Sequence, residues 1–545
     1  MSNWINAVLS KRKTLAISML ALLFISASSI DSNKYFEIAK NIEIYTSIYK
    51  ELNSHYVDDL DPNSLMRTGI DAMMNSLDPY TVYYSESQVE SYRISTEGRY
   101  NGLGAMSQSM DDMVTITEIY KDGPSEKAGL QVGDQILSVN GRSTSGRSYN
   151  DVVQFIRGYP GTDLSLSIKR PFEKNPIQVT LTREDVDIPN VPYSGMVSDN
   201  VGYVALSTFT RDAGRNVGNA IRKLRDDHNM QGLILDLRNN GGGLLAEAIN
   251  IVGLFVPKGS HVVSTKGKVR DRDQSYRTQR LPIDLDMPLV VLINKNSASA
   301  SEIVAGSIQD YDRGVLMGQR SFGKGLVQNH REVGYNSRIK VTTSKYYIPS
   351  GRCIQSVEYE NGEPKDIDDS KRAIFETRNG RKVLDGGGVT PDVKLAPESL
   401  SEVLESLIDQ NLLFKYANRY IHNNPQAPVI DAISFDEFED FEQFIEESKF
   451  EYTTKTEKLI EEFEDHDMEG SFQEQIQSIK NTTANLKRDD IENSKDLIIR
   501  LLEIEFAKRY YLQEGKTRQN LKSDAEIDAA IDLLSDPNAY NVILE

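Results

Sequence analysis

The sequence predicts a multidomain α/β protein with a helical N-terminal region, a small β-rich domain, an α/β core and a helical C-terminal region. The chain has 545 residues, enough for about three or four domains of typical size. Apolar residues alternate with period two from about residue 95, and from about residue 186 they fall into longer strand–turn–helix units. Residues 396–545 are charged and carry apolar stripes at helical spacing.

Charge and the counts of cysteine and histidine exclude several kinds of site. The chain carries 81 acidic and 62 basic residues, for a formal net charge of −19. This balance argues against nucleic acid as a main partner, because phosphate binding needs a basic face. Cys353 is the single cysteine, so no intramolecular disulfide can form, and the six histidines show no metal-binding spacing. We expect neither a metal nor another cofactor.

The first 30 residues have the pattern of an export signal. Lys11, Arg12 and Lys13 precede an apolar run at 14–25, and small residues follow, as is typical of a secretory signal. We expect residues 1–30 to be a signal peptide or an N-terminal membrane anchor. The protein would then be exported to the periplasm or cell envelope, and an uncleaved segment would anchor it to the inner membrane. The alternative is a buried N-terminal helix of a cytosolic protein.

A helical region is predicted to follow at residues 34–94. The apolar residues that recur at roughly helical spacing are Phe36, Ile42, Ile44, Ile48 and Leu52. The pair Asp78-Pro79 breaks this pattern, because proline cannot continue a helix.

Residues 95–185 are predicted to form the β-rich domain. Short segments alternate between apolar and polar residues, which indicates strands with one buried face. Asn140-Gly141 is a strong signal for a tight turn. The stretch 149–157 carries Val152 and Ile156 on a helical stripe and is the main helix of this domain.

Residues 186–395 are predicted to form the α/β core, in which strands and helices alternate in layers. Residues 396–545 are predicted to be helical and contain no chemistry-bearing motif. The core strands are predicted at 201–209, 232–237, 289–294 and 314–317, and its helices at 211–228, 244–255 and 300–311.

A serine lies where a core strand turns into a helix. Ser299 follows an apolar strand and a turn of small residues, and Ala300 begins the next helix. A hydroxyl is exposed at such a junction, and N–H groups of the helix start point toward developing negative charge. Ser299 is therefore a candidate nucleophile. The alternative is a helix cap, since Ser299 and Glu302 fit the S-x-x-E capping box.

A lysine can supply the base that this serine needs. Lys324 lies in a glycine-flanked loop, one predicted helix and one predicted strand beyond Ser299, which would return it to the same edge of the sheet. A lysine is a base only when uncharged, and burial in a groove lined by Phe322 would favour that form. Gln328 could hold the amine without adding charge. The loop also resembles a P-loop, but Gly325 stands where that loop has its magnesium-binding serine or threonine.

A third segment places a glycine-rich turn after a buried strand. Asp236 and Arg238 lie at the end of the strand, and Gly241, Gly242 and Gly243 follow. The backbone N–H groups of such a turn can stabilise an oxyanion. The alternative is an ordinary strand–helix turn, with the acidic and basic side chains as a structural ion pair.

Together these three segments resemble the carboxyl-terminal processing, or tail-specific, peptidase family. The family serine lies in an S/T-A-S-A-S-E run and its lysine in S/T-F-G-K-G, with a glutamine four residues on. Ser299, Lys324 and Gln328 match these positions. The resemblance covers about residues 35–395. Further family motifs match at 236–243, 343–352 and 387–392.

The resemblance implies a crotonase-like core of ββα units and a role for each matched residue. Ser299 would attack the scissile carbonyl of a protein substrate. Lys324 would take the proton of the serine and return it to the leaving amine, and Gln328 would position the lysine.

The resemblance also implies an oxyanion hole. Its donors would be the N–H of Ala300 and the N–H of Gly242 or of Gly243.

The β-rich domain resembles a PDZ domain. Its predicted carboxylate loop is Gly102, Leu103, Gly104 and Ala105, whose glycines let successive N–H groups face one carboxylate. The strand that follows could pair with a peptide. The resemblance implies protein or peptide partners with free C-terminal tails. The alternative is a PDZ fold used only for packing or gating.

Arg157 lies where the PDZ helix is predicted to end. It could couple the position of the PDZ domain to the peptidase core, and the alternative is an ordinary surface arginine. The sequence leaves open whether the chain forms a homo-oligomer and what residues 396–545 do.

The favoured interpretation is a serine endopeptidase with a Ser–Lys dyad. A first alternative is a non-proteolytic PDZ scaffold with an inactive protease fold, which the intact Ser299, Lys324 and Gln328 disfavour. A second alternative is a serine hydrolase that uses His330 or His261 as its base.

Overall fold

The chain forms two compact units, which divide between Tyr83 and Tyr84. The predicted signal segment at 1–30 lies outside the described residues. Across the described ranges, no helix is both long enough and apolar enough to cross a membrane. The computed structural model describes residues 34–88, 96–355, 357–360, 363–366, 368–466 and 473–545.

The described part of the first unit contains two helices, α1 at 34–55 and α2 at Pro62–Asn75. Asp61 begins α2, because its carboxylate accepts two N–H groups of the first turn. Proline at the first helical position suits this start, since no N–H is needed there. The helix ends shortly before Asp78-Pro79, which confirms the predicted break.

The residues directly after this break form a strand and a 3₁₀ turn. This differs from the helical region that the apolar pattern predicts for 34–94. Strand β1 (Val82–Tyr84) and a 3₁₀ turn (Glu86–Gln88) follow. Valine and tyrosine favour a strand, so local propensity decides against the helical spacing.

The β-rich domain is a sheet with one main helix. Its elements are β2 (Arg99–Gly102), β3 (Ala105–Met110), β4 (Met113–Ile119), α3 (Pro124–Lys127), β5 (Gln135–Val139), β6 (Arg142–Ser143), α4 (Tyr149–Ile156), β7 (Asp163–Lys169), β8 (Ile177–Thr182) and β9 (Glu184–Asp187). The sheet order is β3-β4-β5-β7-β8, which leaves β3 at an edge, while β6 pairs with β5 and β2 pairs with β9. Asn140 and Gly141 both have positive φ, 49° and 77°, which confirms the predicted turn between β5 and β6.

The α/β core is built on a mostly parallel sheet. Its strands are β10 (Tyr193–Met196), β11 (Val201–Ala205), β12 (Gly232–Asp236), β15 (Leu289–Ile293), β16 (Val315–Gly318) and β23 (Val393–Lys394), in the order β10-β11-β12-β15-β16-β23. All pairs are parallel except β10 with β11. The residues of β12 and β15 are buried throughout, as expected for parallel strands covered on both faces.

Helices α5 (Ala213–Asp227), α6 (Leu245–Val252) and α7 (Ala300–Asp310) contribute to one large apolar cluster with this sheet. The predicted strand 201–209 is longer than β11, because the chain leaves the sheet after Ala205. Phe209 then forms a bridge to Gly243, which brings the glycine turn beside the end of the sheet.

Antiparallel strands accompany the parallel sheet. β17 (Leu326–Gly334) and β18 (Ser337–Tyr347) form a hairpin, and β18 also pairs with β13 (His261–Gly267), which pairs with β14 (Gln274–Arg277). Two short hairpins are β19 (Val357–Glu360) with β20 (Glu363–Asp366) and β21 (Ile374–Glu376) with β22 (Lys382–Leu384).

The C-terminal region is helical, as predicted. Its helices are α8 (Glu402–Asp409), α9 (Leu412–Asn423), α10 (Phe438–Glu447), α11 (Lys455–His466), α12 (Gln473–Arg488), α13 (Asp490–Asn493), α14 (Lys495–Leu521), α15 (Ala525–Ser535) and α16 (Pro537–Leu544). An aromatic-rich cluster around Tyr416, Phe441 and Phe506 holds part of this region together. Helix α14 is kinked at Tyr511 and Leu512, and Leu512 packs against the core of the β-rich domain.

The last two helices, α15 and α16, pack against the parallel sheet of the α/β core. Ile527, Ala530 and Leu534 of α15 cluster with apolar residues of β11, β12, β15 and β16. The hydroxyl of Tyr540 in α16 accepts the N–H of Leu289 at 2.9 Å and donates to its carbonyl at 3.0 Å. The end of the chain therefore covers the sheet, a placement that helical periodicity alone did not predict.

Arg238 adds a charged link between the sheet and α15. Its guanidinium lies 2.6 Å from Asp236, 2.8 Å from Asp524 and 2.7 Å from Glu526. The predicted ion pair of Asp236 with Arg238 is therefore present, and two carboxylates from the C-terminal region extend it. These groups are mostly buried, so removing one partner would leave an uncompensated charge.

Candidate active site

The turn between β15 and α7 holds Ser299 in a backbone conformation that few residues with a side chain adopt. Its φ and ψ are 57° and −112°, a region that residues other than glycine rarely occupy. Neighbouring hydrogen bonds fix this turn: the Ser297 hydroxyl donates to the carbonyl of Leu237 at 2.8 Å, and Ala298 N–H donates to the carbonyl of Asn240 at 3.0 Å. Strain of this kind is often found at functional residues.

Ser299 is also the N-cap residue of α7, and the Glu302 half of the predicted capping box is present. The carboxylate of Glu302 accepts the N–H of Ser299 at 2.7 Å, and the N–H of Glu302 donates to the carbonyl of Ser299 at 2.9 Å. Half-buried Ser299 nevertheless lines a cavity. Ser299 can therefore be both a candidate nucleophile and the residue at the start of the helix.

Lys324 reaches the same cavity from the loop that follows β16. The N–H of Phe322 donates to the carbonyl of Ser297 at 3.0 Å, which ties the lysine loop to the serine turn. Lys324 is half-buried. Phe322 was expected to shield the amine, but its side chain is 49% exposed and lies outside the cavity lining.

The cavity has a volume of about 470 Å³, within the range of ligand pockets. It brings together all the core residues to which the resemblance gave a role. The remaining wall contains apolar and polar side chains in about equal share. The lining residues are Thr96, Thr208, Gly241, Gly242, Gly243, Leu244, Leu245, Ser299, Ala300, Ile303, Lys324, Leu326, Val327, Gln328, His330, Lys340 and Tyr346.

The glycine turn packs directly against the serine turn. A Cβ on Gly242 would lie 2.7 Å from the carbonyl oxygen of Ala298 and 2.8 Å from the nitrogen of Ala300, so only glycine permits this approach. Gly242 N–H donates to Oδ1 of Asn240 at 2.9 Å. Gly243, at φ 147°, lies beside it in the cavity wall.

Glu302 is a central residue of this site that the sequence had suggested only as half of a capping box. Its side chain is fully buried and accepts four hydrogen bonds: from Ser299 N–H, the Ser321 hydroxyl, Gly323 N–H and Lys324 N–H. Burial raises the pKa of Glu302 to about 7, and the four hydrogen bonds limit the rise. One carboxylate thus joins the serine turn to the lysine loop.

Gln328 and a histidine complete the cavity on β17. The side-chain amide of Gln328 donates to the hydroxyl of Thr342 at 3.3 Å. His330 lines the same cavity, and its pKa is lowered by burial and by the charges of Lys340 and Arg338. His261 instead lies within hydrogen-bond distance of the Ser264 hydroxyl in β13, at 2.8 Å, outside this lining.

The predicted carboxylate loop of the β-rich domain leads into the edge strand β3. Gly104 has φ 75°, and a Cβ there would lie 2.9 Å from Pro124. The carbonyl of Leu103 accepts the N–H of Ser125 at 2.8 Å, which holds the loop against α3. Arg157 is half-buried at the C-cap of α4, where its backbone N–H donates to Val153 at 3.0 Å.

Two further chemistries have no geometric support in the part of the chain that the structure describes. No group of three or more His, Cys, Asp or Glu side chains there is placed to hold a metal ion. Cys353 lies outside the cavity lining, and burial raises the pKa of its thiol, which disfavours the nucleophilic thiolate.

Three family models match the chain. The model described as Peptidase family S41 matches residues 200–363, and the model described as PDZ domain matches residues 115–170. The model described as Probable PDZ-protease, C-terminal helical domain, matches residues 403–534. The chain therefore contains an S41-type peptidase domain, a PDZ domain and a C-terminal helical domain.

Two relatives each match 63% of the chain. The carboxy-terminal-processing protease of Bartonella bacilliformis is 33% identical over 344 residues, which are 63% of this chain and 79% of the relative. A probable CtpA-like serine protease of Staphylococcus aureus strain COL is 34% identical over 343 residues, 63% of this chain and 68% of the relative. The chain belongs to the carboxy-terminal-processing protease family, whose peptidase domain is of the S41 type.

Among solved structures, a photosystem II D1 C-terminal processing protease is 27% identical to the chain. The match covers 66% of this chain and 94% of that protein, with a TM-score of 0.34.

Proposed function

We propose that this protein is an endopeptidase whose PDZ domain binds the C-terminal tails of protein substrates and whose Ser299 and Lys324 form the catalytic dyad. One observation carries the proposal: Ser299 and Lys324 line one cavity, and their backbone N–H groups share the Glu302 carboxylate, at 2.7 Å and 2.9 Å. Two loops that are separated by one helix and one strand are thereby held together.

In the proposed reaction, the Ser299 hydroxyl oxygen attacks the scissile carbonyl carbon while the uncharged Lys324 amine takes the hydroxyl proton. The tetrahedral intermediate collapses to an acyl-serine, and the lysine ammonium returns the proton to the leaving nitrogen. Lys324 then takes a proton from water as the water oxygen attacks the acyl carbon. When the bond from the acyl carbon to the serine oxygen breaks, the lysine ammonium returns this proton to the serine oxygen, which releases the new C-terminal carboxylic acid and restores the dyad. Gln328 would help to orient the lysine.

The oxyanion would be stabilised by the N–H of Ala300, at the start of α7, and by a glycine N–H. The glycine donor we favour is Gly243, because the N–H of Gly242 already donates to Asn240 at 2.9 Å. Both groups belong to the cavity wall beside Ser299.

The test uses a folded reporter domain with an apolar tail that ends in Ala-Val-Val, and the same reporter with its terminal carboxylate amidated. We expect wild-type enzyme to cleave the free tail faster, and Ser299→Ala and Lys324→Ala to lose roughly 10⁴-fold in kcat. His330→Ala is the matched control from the same cavity and should stay within about 3-fold. Mass spectrometry of the products locates the cut.

Three outcomes would change the interpretation. Undiminished cleavage by Ser299→Ala would remove the proposed nucleophile. A loss in His330→Ala as large as in Lys324→Ala would favour the Ser–His alternative. Tail binding without cleavage by the wild-type enzyme would favour the non-proteolytic scaffold.

We also propose that the PDZ domain, residues 95–185, delivers tails to the peptidase core, residues 186–395, with Arg157 contributing to their coupling. The half-buried place of Arg157 at the end of α4 supports this. An Arg157→Ala variant should lose the rate advantage of free over amidated tails and keep the slower tail-independent rate. An unchanged ratio would contradict the coupling.

Export to the cell envelope or periplasm remains part of the proposal, on the strength of the basic and apolar pattern at residues 1–30. Cell fractionation and N-terminal sequencing of the mature protein test it. A cytosolic protein with an intact N terminus would contradict export, and an intact N terminus in the membrane fraction would indicate an anchor.

A further inference from the structure

Tyr346 touches the backbone of both proposed catalytic residues. Its hydroxyl donates to the carbonyl of Lys324 at 2.6 Å and lies 3.1 Å from the carbonyl of Ser299, also in hydrogen-bonding geometry. Tyr346 itself is 1% exposed. Its own N–H donates to the carbonyl of Gly325 at 3.0 Å, so the tyrosine is fixed to the lysine loop and reaches across to the serine turn.

Glu302 binds the same two residues at their other backbone groups. It accepts the N–H of Ser299 at 2.7 Å and the N–H of Lys324 at 2.9 Å. Both amide groups and both carbonyl groups of the dyad thus have a shared partner. The arrangement links two separate loops at four points.

We propose that Tyr346 is a positioning residue for the reaction, and that with Glu302 it sets the separation of Ser299 and Lys324. This inference rests on the proposed function. Ser299 needs such support because its φ of 57° is unfavourable for a side chain. A misplacement of about 1 Å can cost on the order of 100-fold in rate, so a clamp on both carbonyls has a direct effect on catalysis.

The test compares Tyr346→Phe with Tyr347→Phe in full-length enzyme. Phenylalanine keeps the ring and removes only the hydroxyl. Tyr347 is the matched control, because its ring faces the Lys266 amine, 4.6 Å from the centroid, and lies outside the cavity lining. We expect kcat per titrated active site to fall about 10- to 100-fold in Tyr346→Phe, with KM unchanged, and the control to match wild type.

Counting active sites with a serine-directed fluorophosphonate separates positioning from stability. A merely structural role would reduce the number of active sites and leave kcat per site unchanged, and that result would overturn the proposal. If Tyr346→Phe yields no folded enzyme, Glu302→Asp shortens the opposite side of the clamp and should lower kcat without raising KM. A normal kcat there would also overturn the clamp. Full activity of Ser299→Ala would instead refute the proposed function itself.

A second and independent observation concerns the free edge of β3. Ala105 N–H donates to the hydroxyl of Tyr100 at 3.0 Å, and that hydroxyl lies 3.2 Å from the carbonyl of Ala105. The hydroxyl of Tyr149, at the start of α4, donates to the carbonyl of Ser107 at 2.8 Å. Alternate residues of an edge strand present these groups to an incoming strand.

We infer that the two hydroxyls stand in for a bound tail and keep the ligand-free groove closed. Tyr100 accepts the loop N–H that a terminal carboxylate would accept, and Tyr149 donates to the carbonyl that a peptide N–H would reach. A tail must displace both before it can pair with β3. This inference rests on the proposed tail binding, but it does not depend on cleavage.

Binding of the labelled reporter tail to full-length Ser299→Ala enzyme tests the closed groove. Adding Tyr149→Phe should tighten the Kd about 3- to 10-fold, because the open state becomes more populated. Tyr159→Phe is the control, since Tyr159 is 83% exposed in the same domain. Unchanged or weaker binding by Tyr149→Phe would overturn the inference.

A measurement without ligand keeps this inference testable if the reporter tail binds too weakly. Tyr100→Phe should speed hydrogen exchange at the Ala105 amide, because that N–H loses its acceptor. Exchange at the wild-type rate would contradict the role of Tyr100.

Discussion

In two regions of the molecule, tyrosine hydroxyls form hydrogen bonds with backbone carbonyl groups. The two regions differ in how deeply the tyrosine is buried. At the Ser299 turn, Tyr346 is 1% exposed and contacts two carbonyls. At the PDZ groove, Tyr149 is 38% exposed and contacts one carbonyl of an edge strand. A buried polar group that loses its partner has no water to replace it, whereas an exposed one exchanges partners at little cost. The same side-chain group is therefore a fixed support in one region and an exchangeable one in the other.

Within this comparison of two regions, the largest effect is expected at Glu302, which holds the dyad backbone opposite Tyr346. Glu302→Gln should lower kcat on the order of 1,000-fold, because an amide nitrogen cannot accept the donors that the carboxylate binds. Glu332→Gln is the matched control, since Glu332 is 81% exposed. The measurement is kcat per titrated active site. If the Glu302→Gln enzyme kept half the wild-type rate, the hydrogen bonds that Glu302 accepts would be replaceable, and burial would not make this region a fixed support.

The same carboxylate should make stability depend on pH. Burial raises the pKa of Glu302 from 4.5 to about 7, so between these values the unfolded chain ionises while the folded chain keeps its proton. The free energy of unfolding should therefore fall as pH rises through this window, by at most about 3 kcal/mol, and the effect should level off above pH 7. Thermal unfolding of wild type and Glu302→Gln across this window checks it. Parallel pH profiles would contradict the prediction.

A third tyrosine sharpens the comparison, because it is buried and lies far from the chemistry. Tyr540 is 6% exposed and bonds both backbone groups of Leu289. Tyr540→Phe should lower the free energy of unfolding by about 1–3 kcal/mol. Activity per active site should stay within about 2-fold, since Tyr540 belongs to a different apolar cluster from α7. If Tyr540→Phe lowered kcat and left stability normal, a buried tyrosine far from the proposed dyad would act on catalysis, and the contrast between support of the fold and positioning of the dyad would fail.

The smallest effect should come from the exposed tyrosine. Tyr149→Phe should change the free energy of unfolding by less than about 0.5 kcal/mol, because water can replace its hydroxyl at Ser107. Differential scanning calorimetry gives the comparison with wild type. If Tyr149→Phe lowered the free energy of unfolding as much as Tyr540→Phe, the hydrogen bond from Tyr149 to Ser107 would contribute to the stability of the fold.

Local sequence signals predicted much of the framework. The Asn140-Gly141 turn and the strand–turn–helix unit around Ser299 lie where their patterns indicated. Element ends were less accurate: the strand predicted at 201–209 stops at Ala205, because the chain turns away to pair Phe209 with Gly243. Phe322 is 49% exposed and lies outside the cavity lining, a position that its apolar character alone did not predict.

The sequence by itself determined the local units: the small residues before Ser299, the glycines that permit close approach, and the periodicities of helix and strand. These follow from short-range backbone preferences, which act within a few residues. Only the tertiary structure decided that Tyr346 bridges Ser299 and Lys324, and that Asp524 meets Arg238. Such contacts join segments that are distant along the chain, and they arise when buried polar groups must find partners during packing.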